Sequence, residues 1–358
     1  MDGVFMQRAG VLRHHRQAVP VDPLVFRAGG DELIARNSRT VLFWDGPSGS
    51  PLPDKTITMP GWEEMPGYTE QAAFHPRGDL LAVVFNFHGP TVHIWDLSTG
   101  KRFGVPFVPD KHPQVMAFDP ESDLLALGYG DGRVRMWNPR KGRAAGPFLI
   151  AGHSIWDMTF PPGGGPLISV GSSPAGPTAR RWEVPTSNRK PTTLPLTGIP
   201  SKPISPHLPD SLYGGIIRAC AFDPAATRFA AAISWPALRR HERLPHEVWV
   251  WDLFTGTACD PFALFDRVFE VAFHPQSGVL AVAGIPGPET VFGLVLWDPA
   301  TGEYDYPEPG DRWPQGFRKA TFHPGGSLLA TESWLPKKPY EPTTYDDITL
   351  WDMTVDRS

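Results

Sequence analysis

The decapeptide TVHIWDLSTG, residues 91–100, is a clear copy of a pattern that recurs along the whole chain. An alternating apolar and polar segment ends in Trp, and a short polar turn follows it. This pattern is typical of a β-strand that ends in a tight turn. The other copies are TVLFWDGPSG (40–49), RVRMWNPRKG (133–142), TARRWEVPTS (178–187), EVWVWDLFTG (247–256), LVLWDPATG (294–302) and DITLWDMTVD (347–356).

A second pattern, two apolar strands joined by a tight turn, precedes each copy of the first. The strict alternation of the two patterns indicates an internal repeat. Four strong copies are AAFHPRGDLLAVV (72–84), AFDPESDLLALG (117–128), AFHPQSGVLAVAG (272–284) and TFHPGGSLLATES (321–333). Weaker copies are TFPPGGGPLISVG (159–171), AFDPAATRFAAAI (221–233) and VFRAGGDELIAR (25–36).

Each repeat therefore predicts one sheet of four short strands, called a to d from the inside outwards. Strands a and b are nearly unbroken apolar runs, which indicates that both faces of each sheet are buried against neighbouring sheets. A single sheet would expose both of its apolar faces to solvent, so the repeats are expected to form a ring. The Trp residues that end the c strands are large apolar plates for packing between sheets. They are Trp44, Trp95, Trp137, Trp182, Trp251, Trp297 and Trp351.

The WD-like dipeptide after strand c and the F-x-P turn together resemble the WD40-repeat family over nearly the whole chain. The resemblance implies an all-β fold, a seven-bladed β-propeller of four-stranded antiparallel blades, as one domain over residues 1–358. Repeats of that family often carry a Gly-His pair and an Asp that hydrogen-bond within the blade. Only His153, in the blade of Trp182, and Asp131, in the blade of Trp137, match these positions. The chain is therefore a divergent member in which most blades are expected to depend on apolar packing.

The two ends of the chain predict how the ring closes. The sequence stops just after the seventh strand c, whereas residues 4–17 precede the first strand a. We therefore expect the N-terminal segment, within residues 1–20, to supply the outer strand of the last blade. This arrangement would close the ring and remove an exposed sheet edge.

Composition excludes several classes of function. A formal net charge of −5 and a pI near 6.2 lack the basic footprint of nucleic-acid binding. Two cysteines, Cys220 and Cys259, indicate a reducing compartment, so we expect a cytoplasmic protein. No signal peptide and no membrane-spanning apolar run is found in the sequence. The predominance of Arg over Lys favours a GC-rich, bacterial genome.

Long connections are predicted only between strands b and c or between d and a, and these emerge on one face of a propeller, here called the looped face. Insertions gathered on one face are typical of a binding face. Four of these connections stand out, residues 186–216, 234–246, 304–317 and 333–347, and Trp62 lies in another one. The aromatic and Arg residues of these connections either pin the loops inward or bind a partner, and we predict partner binding. The candidates are Trp62, Trp235, Arg239, Arg240, Trp313, Trp334 and Tyr340.

A second candidate site is the mouth of the central channel. The first residues of each strand a, three or four positions before its Phe, are expected to ring the opening. They are Asp22, Glu70, Gln71, Gln114, Trp156, Asp157, Arg218, Phe269, Glu270, Arg318 and Lys319. This mixture of acids, bases and aromatic residues suits a peptide segment better than a phosphate backbone; the alternative is a solvated rim. We predict that Trp156, Arg218, Phe269 and Arg318 bind the partner.

The sequence contains no motif for catalysis, and no cofactor is predicted. His75, His274 and His323 are interpreted as turn residues. The carboxylates of Asp22, Glu70, Asp157 and Glu270 could hold a hard cation, although the neighbouring bases partly cancel their charge.

We therefore predict a non-catalytic scaffold or adaptor that binds protein partners through the looped face. The alternative is a metal-dependent propeller hydrolase, lactonase-like, with its site at the channel mouth. A third hypothesis, by family analogy, is a sensor module that works with an ATPase, kinase or protease.

Overall fold

The structure is a computed structural model. It describes residues 4–12, 21–37, 40–58, 68–86, 89–161, 164–173, 176–183, 192–194, 216–225, 227–234, 246–253, 255–287, 292–307, 316–335 and 344–355. The described part is β-strand and turn apart from one 3-10 turn, Pro53–Lys55. The strands are short because turns rich in Gly, Pro, Asp and Ser interrupt them.

The strands follow one another in the order expected from the repeats. The first nine are β1 (Val4–Leu12), β2 (Val21–Phe26), β3 (Glu32–Asn37), β4 (Thr40–Asp45), β5 (Ile57–Thr58), β6 (Tyr68–Phe74), β7 (Leu80–Asn86), β8 (Pro90–Asp96) and β9 (Lys101–Arg102). The next nine are β10 (Val115–Phe118), β11 (Leu125–Gly128), β12 (Arg133–Asn138), β13 (Arg143–Ala144), β14 (Leu149–Ile150), β15 (Ser154–Thr159), β16 (Leu167–Ser173), β17 (Gly176–Trp182) and β18 (Thr192–Leu194). The last ten are β19 (Ile216–Phe222), β20 (Arg228–Ser234), β21 (His246–Asp252), β22 (Phe262–Phe273), β23 (Leu280–Pro286), β24 (Leu294–Trp297), β25 (Tyr304–Asp305), β26 (Gly316–Phe322), β27 (Leu328–Leu335) and β28 (Thr344–Val355).

Within the described residues these strands form six antiparallel sheets, whereas the sequence predicts seven. Five sheets have four or five strands, and the sixth runs from β19 to β25 with seven. The count is lower because the 12-residue strand β22 belongs to two units. Its first half pairs with β21, Val248 opposite Phe262, and its second half pairs with β23, Val271 opposite Val282. One strand thus replaces the loop that would separate two sheets.

Strand β1 lies at the edge of the sheet that contains the last three strands, in the order β1-β28-β27-β26. It pairs antiparallel with β28 from Val4 opposite Val355 to Leu12 opposite Ile348. A bulge interrupts the pairing between Arg8 and Gly10. The first strand along the chain is therefore the outer strand of the last sheet.

The first strand of each unit contacts the first strands of the two neighbouring units. The contacts run from β2 to β6, β10, β15, β19, β22 and β26, and β26 also contacts β2. This arrangement is a propeller-like ring of sheets, with these strands innermost.

Apolar clusters fill the spaces between consecutive sheets. One cluster contains Leu24 and Leu33 of the first sheet together with Ala330 and Leu350 of the last, and Leu12 packs in it. Complete burial of such a side chain contributes about 1.5–3 kcal/mol. The Trp residues that end the c strands belong to this packing. Those that are buried are Trp44, Trp95, Trp182, Trp251, Trp297 and Trp351, and the half-buried Trp137 stacks on Phe107 with 3.9 Å between ring centroids.

Histidines tie three a–b turns to the turn of the next sheet. In each pair the imidazole Nε2 atom lies within hydrogen-bond distance of a backbone carbonyl. The pairs are His75 with Ser122 (2.7 Å), His274 with Gly326 (2.9 Å) and His323 with Gly30 (3.1 Å). The Nδ1 atom of His274 accepts a hydrogen bond from the N–H of Ser277 at 3.0 Å, so its proton lies on Nε2, which donates to Gly326. These residues lie in turns, as predicted, and they also join neighbouring sheets.

The substitution His274→Ala is expected to lower the free energy of unfolding by about 2–3 kcal/mol. It removes a side chain that is only 1% exposed and leaves the Gly326 carbonyl without its donor. Gln276→Ala is the matched control, because this exposed side chain donates to the Gly325 carbonyl at the same junction. Urea denaturation of both variants measures the difference. Equal stability of the two variants would contradict a stabilising role for the histidine.

The polar residues implied by the family resemblance make other contacts than expected. Asp131 forms ion pairs with Lys111 at 2.9 Å and Arg133 at 3.0 Å. The Nε2 atom of His153 has no hydrogen-bond partner among the described residues, while Trp182 donates to Ser169 at 3.0 Å. The family network is thus incomplete, because the b–c turn of this blade, SSPAG, offers no Asp.

The connection predicted over residues 186–216 is interrupted by a strand. Thr192–Leu194 forms β18 and pairs with β17, Arg180 opposite Thr193. Pro191 and Pro195 flank this strand in the sequence and confine it, because Pro cannot donate to a ladder. Most of the other three long segments lies outside the described residues.

Candidate functional site

One extra residue interrupts the pairing of six inner strands at the same position. Each interruption begins four residues before the Phe at or just after the end of the inner strand. Such bulges re-aim side chains and are frequent beside functional sites. They lie between Val21 and Leu24 in β2, Thr69 and Ala72 in β6, Ile155 and Asp157 in β15, Ile217 and Ala219 in β19, Val268 and Glu270 in β22, and Phe317 and Lys319 in β26.

Four consecutive inner strands, β15, β19, β22 and β26, present aromatic and Arg side chains at their bulges. Trp156 is 40% exposed, Arg218 is exposed, and Phe269 and Arg318 are half-buried. Arg267, two residues before Phe269, is exposed beside them. We call these five residues the aromatic–arginine arc.

Two guanidinium groups lie near the aromatic ring of Phe269. The Cζ atom of Arg267 is 5.8 Å from the centroid of its ring, and the Cζ atom of Arg318 is 5.9 Å away. Contacts of this kind contribute about 0.5–1 kcal/mol each at exposed sites. These contacts favour positions of the two Arg side chains near the mouth of the central channel.

The centre of the arc is positively charged. Burial, and then the charge of Arg267, lowers the pKa of Arg218, whose Nε donates to the Ser234 hydroxyl at 3.4 Å. Neither Arg218 nor Arg267 forms an ion pair with any residue that the structure describes. His246 lies nearby and accepts a hydrogen bond from the N–H of Val268 at 3.0 Å. Burial, and then the charges of Arg218 and Arg267, lower the pKa of His246 to about 4, so it is neutral at pH 7.

On three of these inner strands, the residue that follows the bulge residue is charged. Lys319 and Glu270 form an ion pair at 3.4 Å between neighbouring strands. The thiol of Cys220 donates to the carboxylate of Asp157 at 3.3 Å. Burial raises the pKa of Asp157, and burial followed by the charge of Asp157 raises the pKa of Cys220 well above its usual value. Cys220 is thus a thiol at neutral pH and a poor nucleophile.

The structure brings together four of the predicted partner-binding residues, Trp156, Arg218, Phe269 and Arg318, on neighbouring strands. The backbone of Trp334 lies in β27 opposite Gly316. The remaining predictions, for Trp62, Trp235, Arg239, Arg240, Trp313 and Tyr340, lie outside the described residues and stay predictions.

Arg267 is missing from the sequence-based set. The sequence FALFDRVFEVAF (262–273) has no Gly or Pro before the inner strand, so the start of that strand could not be placed. A pattern of two bulges in β22, at Phe265/Arg267 and at Val268/Glu270, exposes Arg267 beside Phe269.

Two of the four carboxylates predicted as candidate ligands of a hard cation interact with other side chains. Asp157 accepts from Cys220, and Glu270 pairs with Lys319. Among the residues that the structure describes, no three His, Cys, Asp or Glu side chains are grouped to hold a metal ion. Asp22 and Glu70 are placed by their backbone alone, at the bulges of β2 and β6.

Comparison with models of protein families finds a match within one repeat. The family model described as WD domain, G-beta repeat, matches residues 111–138, which include strands β10, β11 and β12. No curated protein matches the chain. No helix in the described ranges is long and apolar enough to cross a membrane.

Proposed function

The chain carries a WD40 repeat within a propeller-like ring of sheets, and from this premise we propose that it is a non-catalytic scaffold or adaptor. It binds protein partners through the looped face, with the channel mouth at its centre. WD40 propellers are generally protein-interaction modules, and the chain works as one domain in the cytoplasm. We include in this proposal that the chain works in a larger complex with an ATPase, kinase or protease.

The observation that carries this proposal is the row of bulges at one level of the inner strands. Bulges re-aim side chains and are frequent next to functional sites. The residues so presented include Trp156 and Arg218, and Trp and Arg are enriched among the residues that dominate binding energy at interfaces. Partner recognition accounts for both features.

We also propose that the ring has seven blades and is closed by β1. The contact between β26 and β2, the shared cluster of Leu24 with Leu350, and the pairing of β1 with β28 support closure. Two of the seven blades share β22, which explains why they form one hydrogen-bonded sheet.

The affinity of the double variant Trp156→Ala/Phe269→Ala for its partners is expected to fall by tenfold or more. A tenfold loss corresponds to about 1.4 kcal/mol of binding free energy. Affinity purification from the native host, followed by mass spectrometry, measures the bound proteins. Because Trp156 is 40% exposed and Phe269 half-buried, the melting temperature should change little.

The matched control is Tyr304→Ala/Tyr306→Ala, which removes two aromatic side chains that are 51% and 41% exposed near the outer strand β25. This control should retain the partners. Loss of partners in the control, with retention in the double variant, would reject the channel mouth as the binding site.

A further inference from the structure

We propose that the aromatic–arginine arc binds an acidic segment of a partner protein, in which Asp or Glu carboxylates contact Arg218 and Arg267. The inference rests on the proposed function and adds the chemistry of the partner.

The first observation is that two exposed Arg side chains lie on contacting inner strands, Arg218 on β19 and Arg267 on β22. Neither forms an ion pair within the described ranges. Like charges in proximity repel, and a carboxylate placed between them would relieve the repulsion. Burial, and then the charge of Arg267, lowers the pKa of Arg218.

The second observation is the geometry around Phe269. The guanidinium carbons of Arg267 and Arg318 lie 5.8 and 5.9 Å from the centroid of the Phe269 ring, and these cation–π contacts restrict both side chains before a ligand arrives. Ordered guanidinium groups lose little entropy when they bind carboxylates, which they can contact through two parallel hydrogen bonds. Trp156, two inner strands away, supplies apolar area for the rest of the segment.

The third observation is the distribution of charge around the ring. The whole chain has a formal net charge of −5, so an acidic partner would be repelled elsewhere. The described Arg residues of the arc lie on β19, β22 and β26. An acidic segment is therefore attracted to the β19–β26 side of the opening.

The test is selection of short peptides from a displayed random library on the wild-type protein. Selected peptides should be enriched in Asp and Glu relative to the library. Their synthetic forms should bind about tenfold more weakly to Arg218→Gln/Arg267→Gln. The affinity should also fall as salt rises from about 0.05 to about 0.5 M.

The control variant is Lys101→Gln/Arg143→Gln, which removes the same charge from two exposed positions on the outer strands β9 and β13. It should bind the peptides as the wild type does. Selection of neutral or basic peptides, failure to select any peptide, or an equal loss in both variants would overturn the inference. Binding of inorganic phosphate in place of acidic peptides would also overturn it.

The outcome separates this inference from the proposed function. If partner capture needs Trp156 and Phe269 but is unchanged in Arg218→Gln/Arg267→Gln, the scaffold function stands and the acidic partner is wrong. If neither variant affects capture, both proposals fail.

Discussion

Deletion of residues 1–12 is expected to lower the free energy of unfolding by about 5 kcal/mol or more. The deletion removes β1 and its complete pairing with β28, from Val4 to Leu12. It also removes Leu12, which is 7% exposed, from the cluster that joins the first and last sheets. Strand β28 becomes an unpaired edge, which promotes association between molecules.

Urea denaturation and size-exclusion chromatography measure both effects. The variant Leu12→Ala is the graded control, since it keeps the backbone pairing and should lose about 2–3 kcal/mol. A deleted protein that is monomeric and as stable as the wild type would contradict closure by β1.

Acidification is expected to destabilise the protein through two buried histidines. Burial, and then the charge of Arg102, lowers the pKa of His93 to about 4, and His246 is lowered to about 4 as described above. Since the ordinary value is 6.5, the folded state favours neutral imidazole, and the unfolded state takes up protons first as the pH falls. The contribution is complete above pH 6.5 and is lost towards pH 4; it amounts to about 3 kcal/mol for each histidine.

Denaturation midpoints between pH 7 and pH 5 test this expectation, because roughly half of the loss falls in that range and carboxylates titrate little there. His93→Phe keeps the aromatic stacking against Trp95, whose ring centroid is 5.6 Å away, and His246→Asn can still accept from Val268. The double variant should show a much flatter dependence on pH. The same slope as in the wild type would show that other groups cause the acid sensitivity.

The sequence predicts the inner strands and their exposed positions well, because the repeat fixes the distance from each Phe to the channel mouth. Counting back four residues from Phe160 and Phe222 identifies Trp156 and Arg218, and both lie at bulges in the structure. These positions can be located from the spacing within a single repeat, because they do not depend on contacts with neighbouring sheets.

Features that depend on neighbouring sheets could not be predicted in the same way. The link from His274 to Gly326 joins two turns that are 52 residues apart. Strand β22 joins two units over a stretch without Gly or Pro, and one ion-pair partner of Asp131 is Lys111, outside its own turn. Pro residues around β18 conceal a short strand within a segment interpreted as a loop.

Site-specific photocrosslinking in the native host tests the recognition surface most directly. Phe269 is replaced by p-benzoylphenylalanine, and the same replacement at Tyr304, a 51% exposed residue of outer strand β25, serves as the comparison. We predict that irradiation crosslinks a partner protein to position 269 and not to position 304. Crosslinks at position 304 alone would contradict recognition at the mouth of the ring.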